Sequence, residues 1–199
     1  MSCTLATLCL QLGLGLSHAI PQDNGIWYMD GPQYPHTLLL NSPRASIALR
    51  SDDWRFGYEY LGRFAADGKA ISSVNPVDII CAPRCWPLSQ YDGSGKVEGL
   101  FLEYTAHFGP GYFVEAGPWI YRATWSEVVP DWLDPSHMAL GPHQTVLSSD
   151  KTSLGLVAGI GQRFRHFEAV FDAHMAQDRG SQPSIVKQVI LGAEIRYTL

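Results

Sequence analysis

Cysteine is scarce in this chain, and long apolar runs are scarcer. Its 199 residues hold 4 cysteines and 14 lysines and arginines against 19 acidic residues, for a net charge of -5. Outside the N-terminus there is no run of about 20 apolar residues, so helical membrane spans are excluded. No Lys/Arg stripe provides the basic face that a nucleic acid requires. There is also no glycine loop of the phosphate-cradling kind, no internal repeat, and no Ser- or Gly-rich linker that would divide the chain. A length of this order is one domain, enough to close a single sheet or barrel. No cofactor is implied. A metal site would need two ligands beside a cysteine pair, and none has suitable spacing.

The few cysteines and the N-terminus point to export. Leu5, Leu8, Leu10, Leu12, Leu14 and Leu16 form an apolar stretch, and Ser17-His18-Ala19 has the small-x-small form of a cleavage site. Residues 1–19 are therefore expected to be a signal peptide and 20–199 the mature domain, although the stretch has no Lys or Arg ahead of it. Cys3 and Cys9 would leave with the signal. Cys81 and Cys85 remain, with Pro83 turning the chain between them, and are expected to form a loop disulfide in an oxidising compartment.

What the sequence has in abundance is alternation. Trp54, Phe56, Tyr58, Tyr60 and Phe64 fall on one parity, interrupted only at Gly62, while Arg55, Gly57, Glu59, Leu61 and Arg63 lie between them. A period of two places these sets on opposite faces of a β-strand. Similar two-faced segments at 25–30, 36–50, 54–64, 96–108, 112–124, 152–164, 166–176 and 185–199 give eight strand candidates. The first two are interrupted by Pro32, Pro35 and Pro43. Short turns at 51–53, 109–111 and 164–166 alternate with long connections at 65–95 and 125–151 and a medium one at 177–184. Short turns at one end and long loops at the other is the asymmetry of a transmembrane β-barrel. Strands of about 9–11 residues, tilted near 45°, are long enough to cross a bilayer.

The orientation of the faces decides between a membrane barrel and a soluble one. The polar parity carries Arg50, Arg55, Glu59, Arg63, Glu103, His107, Glu115, Arg163, Glu168, Asp172, His174, Glu194 and Arg196. Signs so nearly balanced suit a closed interior network in which each arginine finds a carboxylate. Gly57, Gly99, Gly117, Gly155, Gly159, Gly161 and Gly192 share that parity and leave room for long side chains in a narrow eight-stranded lumen. Trp54, Phe108, Tyr112, Phe164, Phe167 and Tyr197 gather beside the short turns, and Trp119, Tyr121 and Trp125 toward the long loops. Two outward aromatic girdles are thus expected. Near Pro118 a bulge could exchange the faces, and the sequence leaves that open.

With these features in place, the pattern of the chain after residue 19 resembles the small eight-stranded outer-membrane barrels of the OmpA, OmpX and OmpW kind. The resemblance lies in pattern rather than in identical residues. In that family a final strand with alternating apolar residues and a terminal aromatic is the assembly signal. Leu191, Ala193, Ile195, Tyr197 and Leu199 keep the alternation, with Leu in place of the terminal Phe. The resemblance implies an all-β, eight-stranded antiparallel up-and-down transmembrane β-barrel, monomeric, in a bacterial outer membrane among lipid and lipopolysaccharide.

Chemistry was weighed against this reading. Ser136, His137 and His143, with Glu127, Asp131 and Asp134 nearby, supply the residue types of a hydrolytic triad. A lipid A deacylase would carry a strand-borne His-x-Ser, which is missing. Asp172 with His174, and Glu103 with His107, share a face and are read as rungs of the interior network rather than a relay or metal site. Gly25-Ile26-Trp27 has the spacing of a lipocalin-like soluble barrel, the alternative fold. A pore is a third possibility, but charged side chains are sufficient to fill so narrow a lumen. The expected function is therefore non-enzymatic: a structural or surface-interaction role through loops 65–95 and 125–151, whose Trp86, Tyr91, Trp125 and Trp132 suit contact with an extracellular partner.

Overall fold

A computed structural model describes residues 8–19, 37–39, 41–51, 53–71, 88–129, 144–176 and 189–199. The described elements are β1 (Cys9–Ala19), β2 (Thr37–Leu39), β3 (Asn41–Arg50), β4 (Trp54–Ile71), β5 (Leu88–Phe108), β6 (Tyr112–Val129), β7 (Gln144–Phe164), β8 (Phe167–Ala176) and β9 (Val189–Thr198). Every pairing is antiparallel. The order β4-β3-β1-β9-β8-β7-β6-β5 closes on itself through a β4–β5 ladder, with β2 an appendage on upper β4. The barrel therefore has eight staves and no open edge through its body.

The first stave is a correction to the sequence reading. The segment expected to be removed as a signal forms β1, paired with β3 from Cys9↔Arg50 to His18↔Asn41 and with β9 from Gln11↔Thr198 to Ala19↔Ile190. The leucines that suggested a hydrophobic signal occupy every second position and face outward, Leu14 at 71% exposure, while Gln11 and Ser17 face the lumen. Because the inward positions here are small and uncharged (Gly13, Gly15), the alternation reads as a continuous apolar run. The strand expected at 25–30 lies outside the described residues, as do Cys81 and Cys85.

Short connections join the staves at one end. Ser51 N–H donates to Trp54 O at 2.8 Å, and Ser51 Oγ accepts from Trp54 N at 3.1 Å. Phe164 pairs with Phe167 across a two-residue turn in which Arg165 takes φ 56°, a left-handed conformation. In β4 the register shifts between Tyr60 and Gly62. Gly62 has φ 118°, and a Cβ there would collide with the side chain of Ser42. This bulge exchanges the faces of β4, so only glycine serves at the position.

The outer surface is apolar through the middle. Phe171 is 67% exposed and Ile195 62%. Leu12, Ile47, Phe56, Leu100, Ile120, Leu156 and Ile160 continue the belt around the barrel. Below it an aromatic ring borders the short turns. Trp54 meets Tyr104 with centroids 5.2 Å apart, Phe108 stacks on Tyr112 at 6.1 Å, and Phe167 lies 5.0 Å from Tyr197. Above it the surface turns polar: Tyr58 donates to Glu98 at 2.9 Å, Lys96 pairs with Glu98 at 3.0 Å, and Arg122 pairs with Asp150. From Leu100 to Phe108, strand residues rising about 3.3 Å each and tilted near 40° span roughly 20–25 Å, the height of the lipid-facing band of such barrels. A soluble barrel of the lipocalin kind would turn the face of Trp54, Phe56 and Tyr58 inward, and this one turns it outward.

The staves are unequal. β4, β5, β6 and β7 run 18, 21, 18 and 21 residues, against 11, 10, 10 and 10 for β1, β3, β8 and β9. The described β7–β8 ladder reaches Gly155↔Ala176, and β7 is described beside β6 as far as Val129↔Gln144. Among the described residues, the arc from β4 to β7 continues as strand above the polar rim, and much of what the sequence reading placed in loops 65–95 and 125–151 is strand.

Candidate functional site: the lumen of the barrel

Inward positions on all eight staves converge on an interior with two storeys. Nearer the short turns the lining is ionic, and nearer the long connections it is apolar. The order is visible within single strands. β4 runs Arg55, Glu59, then Leu61 and Phe64; β6 runs Glu115, then Trp119, Tyr121, Ala123 and Trp125; β9, read upward, runs Arg196, Glu194, then Ile190.

In the ionic storey Arg44, Arg50, Arg55 and Arg196 are all buried, and so are Glu59, Glu103, Glu115, Glu168, Asp172 and Glu194. Three knots tie them together. Arg44 reaches across from β3 to donate to Asp172 Oδ1 at 2.6 Å and to Glu59 Oε2 at 3.1 Å. His174 closes that knot, with Nε2 2.7 Å from Glu59 Oε1 and Nδ1 3.3 Å from Asp172 Oδ1. Arg196 joins Glu115 to Glu194 at 2.7 Å each, and Glu194 also accepts from Ser46 Oγ. Nearest the turns, Arg50 and Arg163 grip the two oxygens of Glu168 at 2.8 Å each. Gln11 links this pair to the rest by donating to Glu168 at 2.9 Å and accepting from Arg55 Nε at 2.7 Å. Arg55 also donates to Glu103 at 2.8 Å, and its guanidinium lies 4.3 Å from the centroid of Phe101.

Buried charge is tolerated only when paired, because the desolvation cost is several kcal/mol per ion. Among the described residues, four buried arginines against six buried carboxylates leave a deficit of two. Half-buried Arg163 and His174, which faces carboxylate oxygens with both ring nitrogens, stand where that deficit lies. Space is made by glycine. A Cβ on Gly192 would meet Arg44 and Asp172, and one on Gly13 would meet Glu194.

Of the residues expected in this network, Arg50, Arg55, Glu59, Glu103, Glu115, Glu168, Asp172, His174, Glu194 and Arg196 are buried in the lumen, and Arg163 stands at its mouth. Two expectations are corrected. Arg63 is exposed and donates to Ser94 at 3.2 Å, because the Gly62 bulge reverses parity beyond Leu61. His107 is exposed at the turn end, edge-on to Phe113 at 6.2 Å, because the ladder is about to enter the 109–111 turn. Arg44, Gln11 and Ser46 belong to the network and were missed. Arg44 follows Pro43 in a segment judged weak, and Gln11 lay inside the supposed signal.

The apolar storey is a further correction. Trp119, Tyr121 and Trp125, expected as an outer girdle, point inward with exposures of 0, 2 and 2%. Pro118 carries no bulge, so β6 keeps one parity throughout. Phe64 is likewise interior. These rings form one cluster with Leu61, Val97, Phe101, Ala123, Val157 and Ile190. Trp119 stacks on Tyr121 at 4.3 Å and meets His174 edge-on at 4.8 Å, joining the storeys. Glycines again make room, since side chains on Gly99 or Gly155 would strike the Trp119 indole and one on Gly93 would strike Trp125. Among the described residues, no group of three or more His, Cys, Asp or Glu side chains could hold a metal ion. Ser136, His137 and His143 lie outside the described residues.

An ionic, paired interior inside an apolar, aromatic-edged exterior defines a small eight-stranded transmembrane β-barrel. No protein-family model matches the chain, and no curated protein matches it. Among solved structures it is similar to Ail, the attachment invasion locus protein of Yersinia pestis, at 12% identity and TM-score 0.45, over 96% of this chain and 97% of that one. The same protein in complex with the heparin analogue sucrose octasulfate gives 12% identity and TM-score 0.47 with the same coverage. Neisserial surface protein A gives 14% and 0.41, over 96% of this chain and 97% of that one. The membrane assignment is carried by the two faces of the staves, independently of these likenesses.

Proposed function

We propose that this barrel resides in a bacterial outer membrane, among lipid and lipopolysaccharide, as a monomer that presents a surface-interaction face and carries out no catalysis. The observation that supports this most directly is the length of described strand in β4 to β7 above the polar rim. The lumen is filled with paired charges and packed rings, so function is assigned to what rises above the rim, the wall built from upper β4 to β7. Strand backbone that continues past the polar rim provides a stiff platform for the connections at 72–87 and 130–143, and connections held on a rigid scaffold are the usual seat of recognition. The Cys81–Cys85 disulfide is retained as part of this proposal, as a staple of the first connection. No cofactor or metal is invoked.

Four measurements test the reading. An unboiled sample in detergent is expected to migrate faster than a boiled one, and spin labels at Phe56 and Glu59 to report oxygen access at the first and shielding at the second. Epitopes inserted at 72–87 and 130–143 should be recognised on intact cells, and one at Asp53 only after permeabilisation. Replacing residues 66–92 by a tight turn should leave a heat-modifiable barrel while abolishing adherence of expressing cells to coated surfaces. Undiminished adherence would remove the wall from the proposal.

A further inference from the structure

We infer that the permeability barrier of this barrel is the apolar storey of its lumen and not the ion-pair network. The ionic storey is densely paired but not self-sufficient. Nε and Nη2 of Arg50, Nε of Arg44 and Oγ1 of Thr105 have no protein hydrogen-bond partner among the described residues, and the three residues are at most 2% exposed. An unmade hydrogen bond on a buried donor costs about 1–3 kcal/mol, and small polar spaces are ordinarily hydrated for that reason. Solvent reaches the network at the short-turn mouth, where the Arg163 side chain is 33% exposed while sharing Glu168 with buried Arg50. The lower half of the lumen is therefore wet and lined with fixed charge of both signs, an environment that ions enter.

The upper half differs in its lining, which is apolar apart from ring edges such as Trp119 Nε1, itself without a protein hydrogen-bond partner among the described residues. Leu61, Phe64, Val97, Trp119 and Trp125 fill the cross-section with exposures of 0 to 2%. A constriction of this chemistry stops water and ions by dewetting and by filled volume together. Trp119 is its floor, stacked beneath Tyr121 and seated where Gly99 and Gly155 have no side chain.

The test is single-channel recording in planar bilayers with the full refolded chain. Wild type is expected to be silent. Trp119→Ala with Trp125→Ala should give discrete current steps, while Arg196→Met with Glu115→Gln should stay silent, because it breaks an ion pair and leaves the rings in place. Heat-modifiable mobility certifies that each variant is folded. A second measurement uses wild type alone: by NMR in detergent, the Arg50 Nε–H should exchange readily with water, and the Trp125 indole N–H should be strongly protected relative to a free indole. Current from wild type or from the ion-pair variant, silence from a folded double-tryptophan variant, or equal protection of the two N–H groups would each overturn the assignment.

Discussion

The two storeys of the lumen fill similar cross-sections by opposite means. Below, long charged side chains reach across the axis, and most contacts depend on a partner from another stave: Arg44 on Asp172, Arg196 on Glu115, Arg50 on Glu168. Above, rings and branched side chains fill space by packing against one another. The ionic storey is therefore brittle, since removal of one member strands another in a low-dielectric interior. The apolar storey yields by degrees with the volume lost. In both, glycine on the lumen face limits what can be accommodated, so the fit is decided by backbone positions as much as by the side chains.

This contrast can be broken by experiment. Arg196→Met leaves Glu115 and Glu194 without their shared partner and should cost about 3–5 kcal/mol in urea unfolding from detergent; a loss below about 1 kcal/mol would mean that the storey is not brittle. Phe171→Arg, which sets a charge on the lipid-facing belt, should cost about 2–4 kcal/mol when unfolding is measured from a bilayer. No cost there would place that face in water. Ile190→Val in the apolar storey should cost only about 0.5–1.5 kcal/mol, and a loss equal to that of Arg196→Met would erase the distinction. Smallest of all, Arg122→Ala above the rim removes an exposed pair with Asp150 and should shift stability by less than about 1 kcal/mol.

Much of the fold was legible because a period of two survives in most staves. Seven of the eight segments expected as strands correspond to staves, and most of the expected interior charges are interior. The failures have local physical causes. In β1 the lumen-facing residues are Gly13, Gly15 and Ser17, so the strand reads as a greasy run. At Gly62 a bulge reverses the faces and turns Arg63 outward, although the break in the aromatic series at that residue was a visible signal. In β6 the reverse error occurred. Tryptophan near a strand end is expected at the lipid headgroups, yet Trp119, Tyr121 and Trp125 share the parity of Glu115, and parity was the better guide. Arg44 was hidden beside Pro43, which sits on the outward face and leaves its neighbour's direction unchanged.

The seam between β1 and β9 has a consequence for assembly. Ten residues of β1 pair with β3 and nine with β9, so the cylinder is completed by joining strands about 180 residues apart in sequence. Contacts of such sequence separation form late and slowly. Until the last stave arrives, β3 and β9 each present a raw hydrogen-bonding border that lipid cannot satisfy. Insertion and closure must therefore be nearly concerted, and a barrel lacking β1 or β9 would be left as an open sheet with nowhere in the bilayer to settle.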